Sequence, residues 1–198
     1  MPRPIAPTAR SLVRRTAVAV AALALAVTSV TACSAAAPAP ASDSTSTRDV
    51  YLVSIEDGSA IVESTPLRWD ADALGSPVET DETWSHPFTA PAGATTVVTF
   101  LSPRGSEHDP KAWNASGWLA ITAGAVQSPN LKPFANTEAG TGTPAGAAAV
   151  ATTGGDYSLG IAFLDDSARV VEADFVAITV TASADPSAAI WTWKHPSR

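Results

Sequence analysis

Gly154–Ala182 reads GGDYSLGIAFLDDSARVVEADFVAITVTA. Tyr157, Leu159, Ile161 and Phe163 alternate with smaller residues, the period-two pattern of a strand with one inward face. Asp165-Asp166-Ser167-Ala168 has turn chemistry. Arg169–Ala182 then gives the longest strand candidate of the chain. Its inward parity switches between Val171 and the set Val176, Ile178 and Val180, which predicts a β-bulge near Ala173–Phe175.

The same period runs outward from this stretch. DVYLVSI (49–55) places Tyr51, Val53 and Ile55 on one face, and Glu56–Ser59 forms a turn in which Gly58 takes positive φ. AIVES (60–64) is expected as its hairpin partner. ATTVVTFLSP (94–103) is rich in β-branched residues and stops at Pro103, and GWLAITAG (117–124) is a short strand closed by Gly124. One helical turn is expected in TPAGAAAVATTGG (143–155), with Thr143 at the N-cap, Pro144 at N1 and Gly154-Gly155 as the stop. The reading is therefore an all-β, antiparallel fold with one short helical turn.

Gly154–Ala182 also resembles the end of the immunoglobulin-like β-sandwiches of bacterial surface proteins. The Gly-x-Tyr start, the alternating strand, the short turn and the long final strand ending in Val-Thr carry the likeness. It implies a sandwich over 49–198, either one elaborated sandwich or two small ones divided near 125–145. It also implies that Tyr157 acts as a tyrosine corner, its hydroxyl bonding back to the preceding crossover. The paired cysteines of antibody domains are missing, since Cys33 is the sole cysteine.

That cysteine closes an export leader. Arg10–Arg15 make a basic n-region, and Ala17–Val30 form an apolar run too short for a bilayer span of about 20 residues. Val30-Thr31-Ala32-Cys33 resembles the lipobox of bacterial lipoproteins, with Val and Thr in place of the commoner residues. The resemblance implies removal of 1–32 and a diacylglycerol on the Cys33 thiol, holding the protein on the extracellular face of the cytoplasmic membrane. Arg14-Arg15 lacks the apolar pair that completes a twin-arginine signal, so Sec and Tat export both stay open. Residues 33–48, beginning at the lipidated cysteine, are a linker of Ala, Pro, Ser and Thr that cannot bury enough apolar area to order itself.

The 198 residues carry 19 acids and 12 bases, a net of −7. Four of those bases and no acid lie before Cys33, so the mature chain has eight bases against 19 acids, a net of −11. An acidic body without a basic stripe repels phosphate backbones, which excludes nucleic acid as a partner.

No catalytic residues emerge. The chain lacks a Gly-x-Ser-x-Gly elbow, a Ser-x-x-Lys pair and a phosphate-cradling glycine loop. His86, His108 and His195 have no partner at zinc-ligand spacing and read as loop surface. The acidic groups Asp70/Asp72, Glu79/Asp81/Glu82 and Asp165/Asp166 do not follow the EF-hand pattern, although calcium between loops stays open. The sequence therefore calls for no metal and no cofactor. Six tryptophans against two tyrosines are the strongest hint. Trp69 and Trp118 lie in strand-like runs and are expected in the core, while Trp84, Trp113, Trp191 and Trp193 are candidate ligand-binding residues. Two functions follow as expectations. The first is a non-enzymatic, lipid-anchored binding or structural protein that meets an envelope protein or glycan. The second is a carbohydrate-binding module that stacks sugars on exposed indoles.

Overall fold

The computed structural model describes residues 45–132 and 144–196. The expected leader, the expected lipidation site Cys33, most of the expected linker and the expected N-cap Thr143 lie outside the described residues. The strands are β1 (Tyr51–Val53), β2 (Leu67–Arg68), β3 (Leu74–Ser76), β4 (Phe88–Thr89), β5 (Thr96–Pro103), β6 (Ala115–Leu119), β7 (Ala125–Val126), β8 (Gly155–Leu164), β9 (Val170–Thr181) and β10 (Ile190–Lys194). One helix, α1 (Pro144–Thr153), and a 3-10 turn at Pro186–Ala188 complete the described elements.

Six strands form one antiparallel sheet in the order β2-β10-β9-β8-β5-β6. Two short antiparallel ladders, β1-β3 and β4-β7, supply the other strands. The chain is thus β-rich and antiparallel, with one large sheet. The main core lies where the ladders and α1 meet one face of that sheet. Leu52, Phe88 and Val126 from the ladders and Ala147, Val150 and Ala151 from α1 join Leu101, Ile161, Ile178 and Trp191 there. The three helical residues follow i, i+3, i+4 spacing, so a helix with little polar character still presents one buried stripe.

The central strands are buried on both faces. Leu159, Ile161 and Phe163 face the main core as their alternation requires, while Val98, Phe100, Ala162, Leu164, Ala173 and Phe175 form a second cluster on the opposite side. Gly160 sits between Phe100 and Phe175 in the register of three strands. A Cβ at Gly160 would overlap the Asp174 carbonyl oxygen and the Phe175 backbone. Its absence lets the two phenyl rings approach edge to face at 6.3 Å.

Several local expectations need correction. The irregularity in β9 lies two residues earlier than parity suggests. Phe163 opposes Glu172 and Leu164 opposes Val170, so Val171 is the extra residue and is 41% exposed. The inward residues of β1 are Leu52 and Val53, and Ile55 is exposed because the strand ends at Val53 and the turn begins. Only a bridge at Val53–Ala60 and the Ile61 N–H to Leu52 carbonyl bond (2.8 Å) tie 60–64 to β1; the paired strand is β3. β6 starts at Ala115 and ends before Ala123 and Gly124, whose positive φ values of 52° and 77° make a tight turn into β7.

The fold also begins before Asp49. β10 pairs with β9 only as far as Lys194–Ala177, leaving the β9 edge open beyond it. Ser46–Arg48 occupy that edge: Ser46 Oγ accepts from the Phe175 N–H (2.8 Å), and the Thr47 N–H donates to the Ala173 carbonyl (3.0 Å). Composition assigned these residues to the linker, but unpaired strand groups attract them. Arg48 then donates from its backbone N–H and Nε to the two oxygens of the fully buried Asp174, at 2.9 and 3.0 Å. It also pairs with Glu172 and donates to the Thr89 carbonyl at 2.8 Å. Its guanidinium lies 5.4 and 5.7 Å from the Phe163 and Phe88 ring centres.

Candidate functional site

The end of β10 and the start of β1 build a groove. In β10, Trp191, Trp193 and, just beyond, His195 fall on one side of an alternating segment. Segment 60–64 crosses from β1 to this end, fixed by the Ser64 N–H to Trp193 carbonyl bond (2.9 Å), with Ser64 at a φ of 64°. Glu79 follows β3, whose Ser76 pairs with Tyr51. These elements enclose a cleft of about 330 Å³ lined chiefly by Tyr51, Ile61, Val62, Trp193 and His195, with Glu63 and Glu79 as its carboxylates.

The rings hold one another by their edges. The His195 imidazole meets Tyr51 at 4.7 Å and Trp193 at 5.4 Å, both nearly perpendicular. Its backbone N–H donates to Glu63 Oε1 at 3.0 Å, and its Nε2 lies 3.7 Å from the same oxygen. Glu63 is thereby held at the mouth. Val62 is 70% exposed on the rim. Trp193 is only 4% exposed, and its Nε1 is buried with no partner among the described residues.

The other tryptophans are dispersed. Trp191 is not available to a ligand, because the inward face of β10 buries it completely and its Nε1 donates to the Arg68 carbonyl at 2.9 Å. Trp84 is half-buried in the turn after Asp81, at a φ of 53°. Trp113 stacks on Phe100 at 4.9 Å and 18°, covering part of the second cluster. Trp118, expected inside, is 47% exposed. It lies on edge strand β6, in register with Val98 of β5. Trp69 is in the core as expected.

The acidic groups mostly organise loops. The buried Asp81 carboxylate accepts from the Ser85 N–H (3.0 Å), the His86 N–H (3.4 Å) and His86 Nδ1 (2.9 Å). Burial pushes Asp81 up, but these bonds outweigh it and hold the carboxyl below its ordinary range. Asp72 meets Lys132 and Asn130, at 2.8 and 2.7 Å. Asp165 is also held low by its bonds to Arg169 and Ser167. Burial raises Glu172, and the charge of Asp174 raises it further against the pull of Arg48. Glu107, His108 and Asp109 are adjacent ligand-type residues that do not converge: Glu107 is buried and accepts from Ser158 Oγ at 2.6 Å, while the other two are exposed. Among the described residues no three metal-ligating side chains gather.

Of the four candidate tryptophans only Trp193 lines the groove. Tyr51, Glu63, Glu79 and His195 join it, and no motif in the sequence groups these four residues. One signal for His195 was legible, its place two residues after Trp193 in an alternating segment. The other three come from separate parts of the chain.

Fold and groove define a class: an antiparallel β-protein with an aromatic cleft edged by carboxylates. No family model, curated protein or solved structure matches the chain.

Proposed function

We propose that this chain is a lipid-anchored, non-enzymatic binding protein of the bacterial cell envelope. In this reading an immunoglobulin-like β-domain is tethered outside the membrane through acylated Cys33. The Tyr51–Trp193–His195 groove carries the reading: it offers rings, methyl groups and acceptor oxygens around a space sized for a small ligand group. The address rests on the lipobox-like Val30–Cys33 and on the short apolar leader before it. The immunoglobulin-like reading is supported by the antiparallel sheet and by the Tyr157 hydroxyl, which donates to the Gly154 carbonyl at 3.2 Å at the helix-to-strand crossover.

Two measurements test the proposal. Mass spectrometry of protein from the producing cell's membranes should find Cys33 at the N-terminus as a diacylglycerol thioether. A retained leader, or a free thiol on protein from the medium, overturns the address. Intrinsic fluorescence titrated with soluble envelope fragments should saturate, and Val62→Arg at the exposed rim should abolish the response. A response unchanged in that variant removes the groove from the function.

A second reading has its own observation. Trp118 is half-exposed on the same sheet face as Trp113, where indoles suit stacking on sugar rings. A carbohydrate-binding module predicts saturable quenching by oligosaccharides that is lost in Trp118→Ala.

A further inference from the structure

We propose that the groove binds a primary alkylammonium group, taking its charge at Glu63 and Glu79 and its methylene stem against Tyr51, Ile61 and Trp193. This rests on the groove being the binding site and names the chemistry of its ligand.

Three features of the lining select that chemistry. The first is charge. Glu63 and Glu79 are its two carboxylates, and neither Lys nor Arg lines it. Lys194 follows Trp193 in β10 and therefore points to the opposite side of the strand. Among the described residues Glu79 pairs with no cation. The second is hydrogen-bonding sense. Carboxylates only accept, and an ammonium only donates, with three N–H groups and no lone pair. A sugar hydroxyl needs acceptors and donors together; the side-chain donors at the groove surface are the Tyr51 hydroxyl and the His195 imidazole, whose Nε2 already faces Glu63 at 3.7 Å. A carboxylate or phosphate ligand would be repelled. The third is the rings. Tyr51 brings a half-buried π-system to the lining, and a cation near an aromatic face is attracted by the ring quadrupole, more strongly when partly desolvated. Trp193 is too enclosed to offer the flat exposed platform on which a sugar ring stacks.

Preorganisation adds to this. Glu63 is already held by the His195 backbone N–H at 3.0 Å, so little side-chain freedom is lost when a ligand arrives. The rim residue Val62 is 70% exposed and can meet an alkyl stem without rearrangement.

The mature chain is titrated with n-butylammonium, Nα-acetyl-lysine methylamide, n-butanol and butyrate, with indole fluorescence and calorimetry as readouts. Saturable binding of n-butylammonium, with butanol and butyrate at least about tenfold weaker, is expected. Binding of the blocked lysine derivative as well points to a protein or peptide side chain as the source; binding of the free amine alone points to a small diffusible amine. Glu63→Gln with Glu79→Gln should weaken the amine about tenfold or more. Val62→Lys, an exposed change that keeps the fold and supplies its own ammonium, should abolish binding. Equal responses to butanol and butylammonium, or an amine response unaltered by both variants, would overturn the proposal. Saturation by an envelope fragment that Val62→Arg blocks, without any amine response, overturns the ligand class and leaves the groove as a binding site.

Discussion

Arg48 ties together several parts of the structure. It satisfies both oxygens of buried Asp174, pairs with Glu172 and reaches Thr89. Removing one partner of a buried ion pair costs about 3–5 kcal/mol, because the other charge stays desolvated. Arg48→Ala should cost that much in urea unfolding, and Arg48→Met with Asp174→Leu should recover most of it. Gly160 is a second such residue: overpacking costs about 1–3 kcal/mol, and a Cβ meeting backbone rather than a flexible side chain belongs at the upper end. Gly160→Ala should destabilise accordingly, read as a lower urea midpoint at unchanged slope. Asp81 supplies a pH dependence. Its folded carboxyl titrates below the unfolded one, so its contribution is complete above the unfolded value of about 3.9 and is lost as pH falls through the folded value. The stability advantage of wild type over Asp81→Asn should therefore shrink as pH drops from about 5 toward 2.

At the scale of elements, the N-terminal segment Ser46–Arg48 completes the β9 edge where β10 stops. A chain begun at Asp49 loses the Ser46 and Thr47 bonds as well as Arg48. Its thermal midpoint should fall by about 10 °C or more relative to a chain begun at Thr45, at roughly 2–4 °C per kcal/mol for a domain of this size. Calorimetry of the two forms checks this, and equal midpoints would mean the segment contributes nothing. The strands β5, β8 and β9 were legible because period-two patterning and turn residues act locally. The limits of α1 were legible too, because the Pro144 start and Gly154 stop are local backbone constraints (Gly154 has a φ of 68°), but the expected single turn is a ten-residue helix. The β1–β3 pairing was not legible, because two three-residue strands carry too little pattern to name a partner. The bulge was misplaced because buried Asp174 shares the main-core side with Val176, and a charged residue there is not anticipated from hydrophobicity.

Over the whole molecule, function depends on which faces meet. Four separated segments contribute Tyr51, Glu63, Glu79 and the Trp193–His195 pair to one cleft. The amino-acid sequence alone determined the β periodicity, the turns and the helix limits, since each depends on neighbours within a few positions, and it fixed the acidic charge by composition. Only the tertiary structure decided which tryptophans are buried, that Arg48 belongs to the domain, and that two glutamates stand beside two aromatic rings. Those outcomes arise from contacts between residues far apart in the chain, where strand order and register, rather than local composition, set the distances.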